Sequence, residues 1–282
     1  MKLFTTKSEL QKALDSFRSK GESIGFVPTM GALHEGHLSL VSKAGKENKV
    51  VVVSIFVNPT QFNDPGDLER YPRTLEEDMR KLATVADPFI FAPTVEEMYP
   101  EPDTRKFDFG TLESVMEGRF RPGHFNGVGQ IVSKLFDVVL PHRAYFGLKD
   151  FQQLVIIKEM VRQLHYDIEI VPCEIVREAD GLAMSSRNQL LTPEHRAVAP
   201  LISKTLFEAK KLVGEKSVEE LKAWVQEKIN NSPLLEVEYF DVVDDNHLQS
   251  VKTWDEPGVK VGCIAVHAGK VRLIDNVILE KH

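Results

Sequence analysis

Two histidines that could contact a phosphate group lie three residues apart in the segment Pro28 to His37, PTMGALHEGH. His34 and His37 can project from one face of a helix that begins there, and their N–H groups can donate to phosphate oxygens as charge develops in phosphoryl or nucleotidyl transfer. Gly31 and Gly36 would let the backbone approach a phosphate closely. Alone, the segment is equally consistent with an ordinary turn that carries two surface histidines.

A second polar segment, Asp180 to Asn188, has the sequence DGLAMSSRN. Asp180-Gly181 is a turn signal, and the hydroxyls of Ser185 and Ser186 with the guanidinium of Arg187 can bind a polyphosphate. Considered by itself, the segment is better explained as a polar linker between domains. Together with His-x-Gly-His, it is similar to the pair of signatures with which class I aminoacyl-tRNA synthetases activate a carboxylate as an acyl-adenylate.

Two further polar segments directly follow apolar runs. Asn58 to Asn63, NPTQFN, would lie at the carboxyl edge of a parallel sheet, where a small polar substrate binds, although Asn-Pro also favours a simple turn. In the segment Phe146 to Gln153, Lys149 can act as a point charge on phosphate. Asp150 suits a helix N-cap, a ribose contact or a metal contact, and Gln153 lies on the same helix face.

Other polar residues give weaker signals. His124, in the loop Arg121 to Phe125, is as consistent with a structural role as with a functional one. The acidic run 76–78 is interpreted as a solvated helix face. Cys173 and Cys263 show no metal-type or disulfide-type spacing and are expected to be buried small residues. No set of three or four metal ligands occurs at a familiar spacing.

The first half of the chain alternates apolar runs with amphipathic stretches, which predicts a parallel sheet with helices on both faces. Val50 to Val57, VVVVSIFV, is the clearest buried strand, because it is apolar except for Ser54 and rich in β-branched residues. Ligands of such sheets bind beyond the carboxyl ends of the strands. The predicted strands cover residues 24–28, 50–57, 88–92, 144–146 and 168–171, and the predicted helices cover residues 37–46, 75–84, 128–139 and 150–163.

The second half of the chain has a different pattern, with helices first and strands last. Thr192-Pro193-Glu194 predicts the start of a long helix that ends near Val213, and Ser217 to Glu220 could form a capping box for another. Strands are predicted over 237–243, 259–266 and 271–279, with a hairpin turn at Ala268-Gly269. The expected organisation is a catalytic domain over residues 1–175 and a smaller α+β domain over residues 176–282.

Composition narrows the class of protein. The chain has 282 residues and a net charge of −7, and the acidic balance argues against a nucleic-acid partner. A local positive pocket could still bind an anionic substrate. The N-terminal sequence lacks the apolar core of a signal peptide, and no apolar run approaches the ~18 residues of a membrane span. We therefore expect a soluble, cytoplasmic protein without a membrane partner.

Taken together, the motifs resemble those of the pantothenate synthetase family, also called pantoate–β-alanine ligases, over essentially the whole chain. Six motifs that occur in the same order carry the resemblance: PTMGALHEGH, SIFVNPTQF, EGRFRPGHFNGV, AYFGLKDFQQL, IVREADGLAMSSRN and RLIDN. The family belongs to the superfamily of class I aminoacyl-tRNA synthetase-like nucleotidyltransferases. The resemblance implies a Rossmann-like catalytic domain, a C-terminal domain that closes over the site, and a homodimer.

The resemblance also implies the reaction. Pantoate attacks the α-phosphate of ATP, with Mg²⁺ as its cation, to give pantoyl adenylate and pyrophosphate. β-Alanine then attacks the activated acyl group, which releases AMP and pantothenate, the vitamin B5 precursor of coenzyme A. No covalent enzyme intermediate is needed, and no dedicated protein metal site is expected.

Site residues follow from the motif positions. The family pattern places ATP against the first motif, the end of the fourth and much of the fifth, and places pantoate against two glutamines. The implied ATP contacts are Met30, Gly31, Ala32, Leu33, His34, Glu35, Gly36, His37, Gly147, Leu148, Lys149, Asp150, Val176, Met184, Ser185, Ser186 and Arg187. The implied catalytic residues among them are His37, His34, Lys149, Ser185, Ser186 and Arg187, with His37 foremost. Gln61 and Gln153 are the implied pantoate residues, and Gln61 also lies near β-alanine.

Two alternatives remain open on the sequence. A plain nucleotidyltransferase would join a phosphorylated acceptor to a nucleotide and stop there, but the neutral pair Gln61 and Gln153 suits a small hydroxy acid better than a phosphate. A non-catalytic nucleotide sensor would keep the fold without turnover. The complete set of histidine, lysine, serine and arginine side chains argues against it.

Overall fold

Six parallel strands form the sheet of the first half of the chain. The computed structural model describes residues 1–63 and 65–280. The strands are β1 (Lys2–Phe4), β2 (Ile24–Thr29), β3 (Val50–Ile55), β4 (Phe89–Phe91), β5 (Arg143–Gly147) and β6 (Glu169–Cys173). They pair in the order β1-β4-β3-β2-β5-β6. The direction in which successive strands are added reverses between β2 and β5, and such sheets bind ligands at the carboxyl ends of the strands at that point.

Helices flank this sheet and continue into the second half of the chain. They are α1 (Lys7–Arg18), α2 (Glu35–Glu47), α3 (Pro65–Arg70), α4 (Leu75–Leu82), α5 (Val95–Met98), α6 (Met116–Phe120), α7 (His124–Val139), α8 (Phe151–Gln163), α9 (Pro193–Val198), α10 (Leu201–Lys211) and α11 (Val218–Asn230). Short 3₁₀ turns cover Pro59–Gln61, Gly110–Glu113, Leu148–Asp150 and Ser186–Leu190.

The buried strands explain why the sheet forms where the sequence predicts it. Val51, Val52 and Val53 of β3 are all less than 9% exposed, as expected for a strand covered on both faces. The sequence did not predict β1 and α1. The strand β1 is three residues long, and only Leu10 and Leu14 of α1 are buried, so neither gave a strong apolar pattern.

The strand β6 lies at one end of the sheet order and contains Pro172. Proline has no N–H to donate to a further strand, which an edge strand does not need, and the carbonyl oxygen of Pro172 accepts from Lys43 Nζ at 3.2 Å. At the other end of the order, β1 is only three residues long.

A three-stranded antiparallel sheet forms the end of the chain. Its strands, in the order β7-β8-β9, are β7 (Leu235–Asp244), β8 (Lys260–Ala268) and β9 (Val271–Glu280). Apolar side chains of α10 and α11, such as Leu206 and Val225, pack with those of the sheet, such as Ile264. Ala268 pairs with Val271, so the hairpin turn is Gly269-Lys270 rather than the predicted Ala268-Gly269. Gly269 has φ +61°, which favours glycine there.

The prediction of one long helix from residue 193 to residue 213 is wrong, because this stretch forms two helices. α9 ends at Val198 and α10 begins at Leu201, with Pro200 between them. Proline lacks the N–H that would bond four residues back, so the helix cannot run through it unbroken. The predicted caps are present: Thr192 Oγ1 accepts from the His195 N–H, and Ser217 and Glu220 form a capping box.

The chain divides into two compact units. The first comprises residues 1–109, 120–148 and 156–174, and the second comprises residues 110–119, 149–155 and 175–282. Two short earlier segments, 110–119 and 149–155, are grouped with the C-terminal sheet. The predicted domain boundary between residues 175 and 176 stays a prediction. Among the helices in the described part of the chain, none is long and apolar enough to cross a bilayer. The predicted fold class, a Rossmann-like α/β domain with a smaller C-terminal α+β domain, is confirmed.

Candidate active site

The backbone between β2 and α2 turns sharply before the helix begins. Gly31 has φ +81° and Ala32 has φ +50°, and the second value costs a residue with a side chain about 1–2 kcal/mol. Thr29 Oγ1 donates to the Ser54 carbonyl at 2.7 Å and accepts from the Gly31 N–H at 3.2 Å. The turn is therefore held in a strained conformation at the carboxyl end of β2.

The two histidines cap the helix that follows this turn. The Gly36 N–H donates to His34 Nδ1 at 3.2 Å, and the His34 N–H donates to His37 Nδ1 at 3.3 Å. The centroids of the two imidazole rings lie 4.1 Å apart. Because Nδ1 accepts in each ring, the proton of the neutral imidazole is at Nε2. The backbone thus selects the tautomer that presents an Nε2–H donor, at a helix N-terminus that favours anions.

Asp78 of α4 anchors the turn and is 0% exposed. Its carboxylate accepts from the Ala32 N–H at 3.0 Å, the Leu33 N–H at 2.7 Å and the Thr74 hydroxyl at 3.2 Å. The interpretation of residues 76–78 as a solvated face is therefore wrong for Asp78. A signal was present in the sequence, since Asp78 lies on the same helix face as Leu75, Met79 and Leu82.

Replacing Asp78 with alanine is expected to lower the free energy of unfolding by about 2–4 kcal/mol, because two buried backbone N–H groups lose their acceptor. Chemical denaturation monitored by circular dichroism measures the change. Glu76→Ala on the exposed side of the same helix is the control and is expected to change stability by less than about 0.5 kcal/mol. Equal stability of the two variants would contradict the anchoring role.

Gln61 lies in the 3₁₀ turn after β3, in contact with the first motif. Its Nε2 donates to Met30 Sδ at 3.0 Å, and its Oε1 accepts from Asn58 Nδ2 at 3.2 Å. Asn58 is 1% exposed and also accepts from the Tyr99 hydroxyl at 2.8 Å. The structure therefore brings together two segments that are 31 residues apart in the sequence, as the sheet topology predicts.

Residues of α7 and of the loop before it contact the backbone of Gln61. His124 Nδ1 lies 2.8 Å from the Gln61 carbonyl oxygen, which makes the Nδ1–H a donor, and Arg121 Nη2 donates to the same oxygen at 3.5 Å. Gly127 packs directly on the backbone of the turn, because a Cβ there would lie 2.9 Å from Gln61 Cα and closer still to the Thr60 carbonyl oxygen. His124, which the sequence left open, therefore has a positioning role.

The fourth motif covers most of β5, which lies beside β2 in the sheet, and continues past the carboxyl end of the strand. Gly147 has open space where a side chain would be, and the 3₁₀ turn Leu148–Asp150 follows it. Lys149 Nζ lies 3.7 Å from Asp150 Oδ2, and the Lys149 carbonyl oxygen accepts from Asn276 Nδ2 at 2.9 Å. Asp150 is therefore paired with a lysine before the first turn of α8.

Two adjacent glutamines of α8 have different environments. Gln152 is buried; its Nε2 donates to the carbonyl oxygens of Leu112 and Val115, and its Oε1 accepts from the Glu117 N–H. Gln153 is half-buried, and its amide forms no hydrogen bond among residues 1–63 and 65–280. The amide of Gln153 is thus the one that a ligand can use.

The segment that carries the two serines lies in the second unit and begins with a small hairpin. The Met184 N–H donates to the Val176 carbonyl at 3.0 Å, and the Glu178 N–H donates to the Leu182 carbonyl at 2.8 Å. Ser185 Oγ then accepts from the Arg187 N–H at 3.3 Å and caps the 3₁₀ turn that follows. This hairpin explains why Val176, which the residue types alone did not indicate, is adjacent to the serine-containing segment.

The fold and the donor groups are those expected of an α/β enzyme that binds a nucleoside triphosphate. In the first unit, the sheet reverses its strand order next to a helix N-terminus that two imidazoles cap. Described by itself, the second unit carries hydroxyl, guanidinium and ammonium groups in two 3₁₀ turns. These are donors suited to phosphate oxygens. Within the described residues, no group of three or more His, Cys, Asp or Glu side chains could hold a metal ion.

The chain belongs to the pantoate–β-alanine ligase family, whose model matches residues 2–278. A protein named pantothenate synthetase from Bacteroides thetaiotaomicron is 57% identical over 98% of each chain. A pantothenate synthetase from Porphyromonas gingivalis is 52% identical over 99% of this chain and 100% of its own length. The family resemblance stated from the six motifs is confirmed, and so is the prediction of an ATP-dependent ligase.

Solved structures show the same similarity. The crystal structure of pantothenate synthetase from Thermus thermophilus superposes with a TM-score of 0.92, at 43% identity and 99% coverage of both chains. Pantoate–β-alanine ligase from Francisella tularensis, described as complexed with β-γ ATP and β-alanine, has a TM-score of 0.83 at 35% identity, with coverage of 100% of this chain and 99% of its own.

Proposed function

We propose that the chain condenses pantoate with β-alanine at the expense of ATP, through a pantoyl-adenylate intermediate. The observation that carries the proposal is the pair of capping histidines, whose Nδ1 atoms are used by the backbone so that both Nε2 atoms carry the donor proton. This arrangement sits in a chain that matches the pantoate–β-alanine ligase family over residues 2–278.

In the first step, a carboxylate oxygen of pantoate forms a bond to the α-phosphorus of ATP, and the bond from that phosphorus to the bridging oxygen breaks to release pyrophosphate. Negative charge grows on the phosphate oxygens during the transfer, and fixed donors stabilise it. We assign that role to His34, His37, Lys149, Ser185, Ser186 and Arg187, the residues that the motifs of the family indicate. The backbone N–H groups at the start of α2 contribute in the same way.

In the second step, the amine of β-alanine attacks the acyl carbon, the bond to the adenylate oxygen breaks, and AMP leaves. No protein nucleophile is required. The two cysteines fit this mechanism, because burial raises the pKa of the Cys173 thiol and that of the Cys263 thiol above the ordinary value. Thiols that remain protonated are poor nucleophiles.

Substrate recognition is assigned to Gln61 and Gln153. An amide offers both a donor and an acceptor, which suits the hydroxyl and carboxylate groups of a small hydroxy acid. Mg²⁺ enters as part of the substrate, since it binds through phosphate oxygens and water and needs few protein carboxylates. The homodimer, the cytoplasmic location and the closure of the C-terminal domain over the site stay predictions.

Pantoate-dependent exchange of labelled pyrophosphate into ATP tests the proposal. The purified protein is expected to catalyse exchange with pantoate and without β-alanine, because formation of the adenylate is reversible. Exchange that proceeds without pantoate would indicate a plain nucleotidyltransferase, and tight ATP binding without exchange would indicate a nucleotide sensor. Either result would reject the ligase.

Replacing Gln61 with alanine is expected to raise KM for pantoate about tenfold, the effect of one neutral hydrogen bond, and to leave KM for ATP within about twofold. Steady-state kinetics with each substrate varied in turn measures both constants. Gln226→Ala, on the exposed side of α11, is the control and should change neither. A parallel rise of both KM values in Gln61→Ala would contradict the assignment to pantoate.

A further inference from the structure

Arg196 of α9 binds two carboxylates of the hairpin that precedes the serine-containing segment. Its Nη1 donates to Asp180 Oδ2 at 2.6 Å, and its Nη2 donates to Glu178 Oε2 at 2.6 Å. The hydrogen bond from Arg196 holds the pKa of Asp180 below its ordinary value. Asp180 Oδ1 in turn accepts from the Leu182 N–H at 3.2 Å, so the ion pair continues into the turn of the hairpin.

Glu178 connects this arginine to the segment 184–187. Its second oxygen, Oε1, accepts from Asn188 Nδ2 at 2.6 Å, and the same amide nitrogen donates to the Ala183 carbonyl at 3.1 Å. Ala183 directly precedes the segment and Asn188 directly follows it. Through this amide, Asn188 at one end of the segment is hydrogen-bonded to Ala183 at the other end. Glu178, which Arg196 of α9 binds, accepts a second hydrogen bond from the same amide.

The hairpin has a second anchor that does not involve Arg196. Arg177 forms a two-pronged ion pair with Asp275 of β9, at 2.7 and 2.9 Å, and also donates to the Gly181 carbonyl at 3.2 Å. The backbone bonds between Val176 and Met184 and between Glu178 and Leu182 add to this anchor. Loss of Arg196 should therefore leave the hairpin folded while loosening the Glu178 carboxylate that accepts from the amide of Asn188.

We propose that Arg196 is a positioning residue for ATP, which acts through Glu178 and Asn188 to hold residues 184–187 in the conformation that contacts the phosphates. The inference rests on the proposed role of these residues in ATP binding. A guanidinium is suited to this position because its planar fork engages two carboxylates at once in a fixed geometry. Lysine at the same place would keep the charge but would hold the two carboxylates less rigidly.

Pantoate-dependent pyrophosphate exchange by Arg196→Ala and Arg196→Lys, with ATP and pantoate varied separately, tests the proposal. For Arg196→Ala, KM for ATP is expected to rise about tenfold or more, as when a residue that orients a ligand contact is removed, while KM for pantoate stays within about twofold. Arg196→Lys should recover only part of the loss, because it keeps the charge but not the fork that binds both carboxylates. Lys222→Ala is the control, because it removes an ion pair with Asp241 in the same unit without touching the hairpin.

A merely structural role would give a different result. Arg196→Ala would then lower the melting temperature and the active fraction, as Lys222→Ala can, with an unchanged KM for ATP, and that outcome overturns the proposal. In a double-mutant cycle with Asn188→Ala, the effects on KM for ATP are expected to be less than additive, since both changes disturb the same hydrogen bond from Asn188 to Glu178. Additive effects also overturn the proposal.

A replacement variant and the unaltered protein distinguish failure of folding, failure of the proposed function and failure of the role of Arg196. If Arg196→Ala does not fold, Glu178→Gln replaces it, because this change weakens the same ion pair and keeps an amide oxygen for Asn188; an unchanged KM for ATP then overturns the proposal. If the unaltered protein shows no pantoate-dependent exchange, the proposed function fails. Exchange by the unaltered protein with a normal KM for ATP in Arg196→Ala rejects the role of Arg196 alone.

Discussion

Replacing His37 with alanine is expected to lower kcat about a hundred- to thousandfold, the usual loss when one donor to a developing oxyanion is removed. KM for ATP should change by no more than a few-fold, because a donor aimed at the growing charge acts mainly in the transition state. Single-turnover measurement of adenylate formation and equilibrium ATP binding give the two quantities separately. An equal loss in ground-state ATP affinity would refute the assignment.

His37 also accepts the His34 N–H through Nδ1, so alanine removes a helix cap together with the donor. His37→Asn separates the two roles, because an asparagine oxygen can take the place of Nδ1 while nothing takes the place of Nε2. This variant is expected to recover thermal stability relative to alanine but to remain as slow. Recovery of turnover in His37→Asn would show that the cap, and not the donor, is what the reaction needs.

The second large effect is expected for Gly127→Ala. The added Cβ would lie 2.9 Å from Gln61 Cα and nearer still to the Thr60 carbonyl oxygen, both of which are backbone atoms that cannot move like a flexible side chain. We expect kcat/KM for pantoate to fall about a hundredfold, since a displacement of about 1 Å in a substrate-positioning group costs that much. Overpacking should also lower stability by about 1–3 kcal/mol.

Gly45→Ala in α2 is the matched control for this glycine, because a Cβ at Gly45 meets nothing within 4 Å. This control should be neutral or slightly stabilising, since alanine favours a helix more than glycine does. Steady-state kinetics with pantoate varied and thermal unfolding of both variants measure the changes in kcat/KM and in stability. A Gly127→Ala protein with normal pantoate kinetics would show that α7 does not set the position of Gln61.

The sequence was informative where a segment carries its own pattern. The apolar, β-branched run of β3 predicted the sheet, and the polar segments after successive strands predicted the edge at which we place the chemistry. The contact between Met30 and Gln61 follows from that topology, because parallel strands end at one edge. Pro200 itself signals a break in the helix, although the apolar pattern on either side continues across it.

Other features could not be predicted because they depend on partners far away in the sequence. Asp78 looks like part of an acidic, solvated run until the turn at Ala32 and Leu33 is placed against it, 45 to 46 residues earlier in the chain. The histidine caps are a similar case. Imidazoles three residues apart suggest phosphate contacts, but only the geometry shows that the backbone uses both Nδ1 atoms.

The edge strand β6 has a consequence for how the protein behaves at high concentration. An exposed edge strand is a template on which another chain can add a strand, and aggregation often starts there. Pro172 interrupts that template, because it offers no N–H and its carbonyl oxygen is engaged by Lys43. At the opposite edge, β1 is too short to offer a long ladder. Neither edge of the sheet therefore pairs readily with a strand from another molecule. This property favours a protein that does not aggregate while it folds.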